Sequence, residues 1–222
     1  MMEIIVQDLL KQLIPDFKVG IVQYQDIQVG DSPQMLKGRL QLFQESLFFD
    51  FEDKKVTEIL EISEWRKIFK TIGTDPNRYR PSNEALYRRV QKQQFLHPVN
   101  SAVDLNNFLS LQYRIPLGIY DLDKLSGQVT IRIGSNEDSY LAINEREVQL
   151  SKKLLSADNE GAFGSPYVDS KRSAVTPATT QALHIIYLQP SMDHDESDQL
   201  LQALSTMFTQ IHGGTASYQI YK

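Results

Sequence analysis

Two rhythms of apolar residues divide the chain near residue 128. Before that point most apolar positions recur at the three- and four-residue spacing of a helix face. Leu36, Leu40, Phe43, Leu47 and Phe48 form one stripe, and Val56, Ile59, Leu60 and Ile62 continue it, predicting a broken helical stretch over 34–62. Trp65, Ile68, Phe69 and Ile72 predict a helix over 62–72. Leu86 and Val90 predict another, from Ser82 read as its N-cap to about Gln94. Further helices are predicted over 101–113 and, stopped by Pro15, over 3–14. A strand is expected over 17–29, although its apolar residues change phase between Ile21 and Val22. Beyond residue 128 the chain reads differently. Val129 to Ile133 alternates strictly, which marks a strand, and shorter strands are predicted near 139–143, 147–150 and 183–188. Residues 158–173, rich in Gly, Ser, Asp and Pro, read as a long irregular loop. A helix over 197–211, ended by Gly213 and Gly214, and a strand over 216–221 complete the chain. With no regular strand–helix–strand rhythm, the expected class is α+β: a mixed, mainly antiparallel sheet with packed helices.

Composition narrows the class. The 222 residues, 41% hydrophobic and 23% charged, are those of a soluble globular protein able to bury one substantial core. There is no cysteine, which excludes disulfides, thiol nucleophiles and thiolate metal sites. The first residues carry Glu3 and Asp8 and lack the basic start and long apolar core of a signal peptide. No apolar run approaches the roughly 18 residues that span a bilayer. The expectation is a cytoplasmic protein without a membrane partner.

Charge is unevenly spread. The net charge of −5 gives no general attraction for nucleic acid, and DNA is not an expected partner. Yet Arg66, Lys67, Lys70, Arg78, Arg80, Arg88, Arg89 and Lys92 fall within 27 residues opposed only by Asp75 and Glu84. Guanidinium groups offer planar forks of donors that match phosphate oxygens, so Arg78, Arg80, Arg88, Arg89 and Lys92 are candidate RNA-binding residues. The same pattern also suits a solvated helix face. Asn106 and Asn107 are the other oddity, since asparagine competes with the helix backbone and sits poorly inside an apolar helix. Each amide can hold a carbonyl, an ammonium or a water, or can satisfy nearby backbone. The histidines (97, 184, 194 and 212) have no metal-ligand spacing, and His184 reads as a core residue of a strand. No phosphate loop, nucleophile elbow or zinc pattern occurs, so no metal or organic cofactor is expected.

Four stretches carry a family resemblance: RPSNEALYRRV from Arg80, VDLNNFLSL from Val103, IPLGIYDLDKLSG from Ile115 running on to VTIRI, and VTPATT from Val175. Their order and spacing resemble the tRNA-editing (B3/B4) domain of the phenylalanyl-tRNA synthetase beta subunit, and more closely its free-standing relatives, over roughly Trp65 to Pro190. The resemblance implies one domain over 1–222. An editing-like core would fill 63–190, preceded by an extension over 1–62 and followed by a helix and strand over 191–222. It implies a pocket for an aminoacyl group built from Asn106, Pro116, Gly118, Ile119 and Thr176, with Asn107 positioning the water or the ester. The expected function is binding of tRNA and hydrolysis, in trans, of the ester of a mischarged aminoacyl-tRNA. The alternative is a non-catalytic module that binds tRNA, an amino acid or another small ligand. A complete tRNA ligase is excluded, because class II catalytic motifs are lacking. Two departures matter. In the synthetases the segment matching Pro116–Asp121 reads Pro-Leu-His-Ala-Phe-Asp, and this chain has Gly118 in place of that histidine. Ala174 stands where the synthetases have an acidic residue. Specificity for mischarged tyrosine is therefore not implied.

Overall fold

The computed structural model describes residues 2–222. In chain order the strands and helices are β1 (Ile4–Val6), α1 (Asp8–Leu13), β2 (Val19–Gln25), α2 (Gln34–Phe51), α3 (Leu60–Thr71), α4 (Ser82–Gln91), α5 (Ser101–Tyr113) and β3 (Leu117–Asp121). They continue with β4 (Val129–Ile133), β5 (Ser139–Leu141), β6 (Glu147–Gln149), β7 (Leu154–Asp158), β8 (Gly161–Gly164), β9 (Ala182–Tyr187), α6 (His194–His212) and β10 (Thr215–Tyr221). The class is α+β, with sheets that are mainly antiparallel.

The central layer is an antiparallel sheet in the order β10-β2-β9-β3. Its inner strands are buried on both faces. Val22 and Tyr24 of β2, Ala182 and Ile186 of β9, and Leu117 and Ile119 of β3 pack with apolar residues of α2, α4, α5 and α6. The opposite faces (Val19 and Ile21, Leu183 and Ile185, and Tyr120) meet a second sheet, β1-β4-β7-β8, together with α1 and α3. A strand covered on both sides needs apolar residues at both parities, which explains the phase change in β2.

Elsewhere the sequence pattern and the structure part company for local reasons. Ile4–Val6 is not helical. These β-branched residues pair in parallel with Val129–Ile131, and the helix begins only at Asp8. Ser82 is not a cap: Pro81 occupies that position, and the Ser82 hydroxyl is buried without a partner. The expected loop over 158–173 contains β8, which pairs with β7 around a turn closed by Gly161 at φ +114°. The last helix starts at His194, because Asp193 and Glu196 form a reciprocal capping box. Among the described residues no helix is long and apolar enough to cross a membrane.

Candidate functional site

A cavity of about 710 Å³ opens between α4, α5, β3 and the segments around residues 143–144 and 167–175. Strand alternation builds one wall: Leu117 and Ile119 project into the helix-covered side of the sheet, where Leu86, Val103, Ile143 and Val175 complete an apolar lining. Asn106, Asn107, Ser82 and Asp169 are among the polar residues of this lining, with Arg89 and Tyr167 also on its surface.

Asn106 is oriented from behind. His184, fully buried on β9, meets Asn106 Oδ1 through Nε2 at 3.0 Å and the Tyr24 hydroxyl through Nδ1 at 3.4 Å. Burial pushes the His184 pKa down to about 3, so the ring is neutral and carries one N–H at pH 7. Asn106 Oδ1 can only accept, so that proton sits on Nε2, and Nδ1 accepts from Tyr24. The relay fixes the Asn106 amide and leaves its NH2 group to face a ligand. Asn107 differs. Its side chain lines the same cavity and has no hydrogen-bond partner among the described residues. Asp104, one turn earlier, is structural: it accepts from the Ser32 hydroxyl and from the Val99 N–H.

Asp169 is the one carboxylate on this cavity's lining. Tyr120 donates its phenol proton to Oδ1 at 2.6 Å, and the Ser165 N–H approaches the same oxygen at 3.4 Å. Oδ2 has no partner among the described residues. Loss of water around the carboxyl pushes its pKa up to about 7, while the two hydrogen bonds pull the other way. Tyr120 is itself held between two glycines. A Cβ on Gly118 would lie 2.0 Å from the Tyr120 hydroxyl oxygen, and one on Gly164 would lie 2.2 Å from it. The phenol thus fills the space of a side chain at position 118. Glycine for histidine and tyrosine for phenylalanine, two of the three differences from the synthetase Pro-Leu-His-Ala-Phe-Asp stretch (Ile119 for alanine is the third), meet in one packing contact.

The pocket residues expected from sequence separate accordingly. Asn106, Asn107 and Ile119 line the cavity; Pro116, Gly118 and Thr176 do not. Pro116 accepts a backbone hydrogen bond from Tyr187, and Gly118 faces the second sheet beneath Tyr120. Thr176 closes a turn in which its N–H donates to Thr179 Oγ1, while the Thr179 hydroxyl donates to buried Asp121. Ala174 lies on the cavity lining, where Asp169 supplies a carboxylate from five residues earlier in the chain. Sequence reading missed Asp169, because its partner Tyr120 is 49 residues away.

The basic residues converge. Arg78, Arg80, Arg88, Arg89 and Lys92 line one depression of about 350 Å³, and Ala85, Arg89 and Tyr167 belong to both this depression and the larger cavity. They are not equivalent. Glu84, fully buried on α4, binds Arg66 Nη1 at 2.8 Å and Arg88 Nε at 2.8 Å, so Arg88 holds the fold as well as the surface. Arg78 lies 5.1 Å from the centre of the Tyr79 ring, and the Lys153 ammonium lies 3.9 Å from it. Burial and the nearby charge of Arg78 lower the Lys153 pKa. Tyr79 in turn meets Tyr167 edge-on at 5.5 Å. Arg80, Arg89 and Lys92 have no ion-pair partner among the described residues. A separate depression of about 540 Å³ between Asp138 and Arg172 offers less, since Asp138 is paired with Arg132 and Arg172 with Asp158 and Glu160.

Comparison with known proteins bears on this arrangement. The pattern defining the B3/4 domain matches residues 64–211. The chain is 38% identical over 194 residues to the uncharacterized protein YhzB of Bacillus subtilis (strain 168), covering 87% of each. It is 35% identical over 69 residues to the phenylalanine–tRNA ligase beta subunit of Fusobacterium nucleatum, which is 31% of this chain and 9% of that subunit. An N-terminal fragment of the phenylalanyl-tRNA synthetase beta subunit from Pyrococcus horikoshii superposes with a TM-score of 0.49 at 14% identity, over 97% of this chain and 50% of that one. With the family pattern covering two thirds of its length, the chain belongs to the B3/4 domain family, related to the phenylalanyl-tRNA synthetase beta subunit.

Proposed function

We propose that this protein binds the acceptor end of a charged tRNA and hydrolyses the aminoacyl ester in trans. The observation that carries the reading is the junction at Arg89 and Tyr167: a depression lined with cations, among them Arg80, Arg89 and Lys92 without an ion-pair partner among the described residues, runs into a cavity with apolar walls, side-chain amides and a carboxylate. The first part suits ribose-phosphate backbone and the second an aminoacyl group.

The reaction needs little from the protein. The ester is already activated, so holding a water in line with its carbonyl and stabilising the developing oxyanion supply the needed rate. In this reading the pinned Asn106 NH2 donates to the carbonyl oxygen. Asn107, uncommitted within the chain, orients the water. We expect Asn107→Ala to lower deacylation more than tRNA binding. Its stability in denaturant should stay within about 1 kcal/mol of wild type, because the side chain leaves no hydrogen bond behind. A variant that unfolds would mark Asn107 as structural.

Gly118 in place of histidine favours a second reading, a binding module without hydrolysis, since glycine transfers no proton. Both readings require tRNA on the basic depression, and salt tests this. Each phosphate contact contributes roughly −0.7 to −0.9 to the slope of log affinity against log salt. The variant Arg80→Ala/Arg89→Ala/Lys92→Ala spares Arg88 and hence Glu84. It should bind tRNA roughly ten- to hundredfold more weakly near 0.1 M salt, with a slope shallower by about 2 to 3. Unchanged affinity and slope would reduce the basic depression to a solvated surface.

A further inference from the structure

Asp169 is the one anionic residue on the cavity lining, and one of its two oxygens is unbonded among the described residues. Tyr120 and Ser165 occupy Oδ1, and Oδ2 of this lining residue has no partner among the described residues. An unpaired carboxylate beside apolar walls carries an unfavourable desolvation that a cationic donor on a ligand relieves. The charged side chain sharing the cavity is Arg89, which also lines the basic depression. The other polar neighbours named above (Asn106, Asn107 and Ser82) are uncharged.

We infer that Asp169 Oδ2 binds the free α-ammonium group of the aminoacyl moiety, making it a specificity-determining residue that selects aminoacyl-tRNA over N-acylated aminoacyl-tRNA and peptidyl-tRNA. This rests on the reading of the cavity as an aminoacyl site. An N-acyl group replaces the charged donor with a neutral amide and adds bulk at the same point, so the carboxylate keeps its desolvation cost without an ionic partner. Tyr120 serves as the positioning residue. Its phenol, confined between Gly118 and Gly164, fixes Oδ1 and directs Oδ2 outward. A protein of this design removes amino acids from charged tRNA and spares chains already growing on it.

The test uses total tRNA charged with a mixture of labelled amino acids, and the same preparation after acetylation of its amines. Filter retention and release of label are measured with the full-length protein and with Asp169→Asn, which preserves shape and the Tyr120 hydrogen bond. The wild type should bind or deacylate the free-amine form roughly ten- to hundredfold better than the acetylated form. Asp169→Asn should bring the two forms within a few-fold by losing activity on the free-amine form. Equal handling of both forms by the wild type overturns the assignment of Asp169 and leaves the aminoacyl-site reading intact. Discrimination retained in Asp169→Asn overturns the assignment as well. Failure to retain or hydrolyse either form removes the aminoacyl-site reading and the assignment with it. The wild-type comparison decides the matter even if the variant does not fold.

Discussion

Gly118→Ala is expected to destabilise the protein by roughly 3–5 kcal/mol, although it adds a single methyl group. The new carbon would lie 2.0 Å from the Tyr120 hydroxyl oxygen and 2.6 Å from the ring carbon bearing it. The phenol has no retreat, because Gly164 closes the other side at 2.2 Å and the ring is fully buried against Phe163. Relief requires moving the ring, which overpacks the layer between the sheets and breaks the hydrogen bond to Asp169, leaving both buried partners unsatisfied. Denaturant unfolding measures the loss, and Tyr120→Leu added to Gly118→Ala should recover part of it by removing the phenol. A Gly118→Ala protein within about 1 kcal/mol of wild type would show that the glycine is not there for Tyr120.

Asp169→Asn should do the reverse and stabilise the fold at neutral pH. The carboxyl has a folded-state pKa of about 7 against an ordinary value of 3.8. A folded pKa raised above the unfolded one gives a contribution fully present below about pH 4, which is lost as pH rises through about 7. Above that point the ionised carboxylate costs the folded state up to roughly 4 kcal/mol, at about 1.4 kcal/mol per pH unit across the window. Asparagine keeps the acceptor for Tyr120 and carries no charge. The stability of Asp169→Asn relative to wild type should therefore grow from pH 4 to pH 7 and level off above it. His184, with its pKa pushed down to about 3, acts oppositely in both proteins: its contribution is present above about pH 6.5 and lost on acidification, so it cancels from the difference. A difference independent of pH would contradict the raised pKa of the Asp169 carboxyl. A gain in stability on losing a charge is the signature of a site kept for binding.

What the sequence revealed follows the range of the interactions involved. The expected ranges of α5 and β4 agree with the structure to the residue, and for β4 the strict alternation is a local signal. The convergence of Arg78, Arg80, Arg88, Arg89 and Lys92 was also legible, since they lie on one short loop and the helix that follows it. The amide pair was visible as an inconsistency within α5. What sets its geometry was not visible: Asn106 depends on His184 across 78 residues, and Asp169 on Tyr120 across 49. The strand at residues 4–6 was hidden for the same reason, because its parallel partner lies over a hundred residues away. Gly118 shows the limit most clearly. From the resemblance it was expected among the pocket residues, whereas in the fold its space belongs to the residue two positions later.

The most direct test of the central claim is deacylation of a panel of mischarged tRNAs by the purified protein at low salt. Release of one or a few amino acids well above the spontaneous rate is the predicted result, with that release lost in Arg80→Ala/Arg89→Ala/Lys92→Ala and strongly reduced in Asn107→Ala. No release from any charged tRNA, together with tRNA binding indifferent to salt, would contradict it.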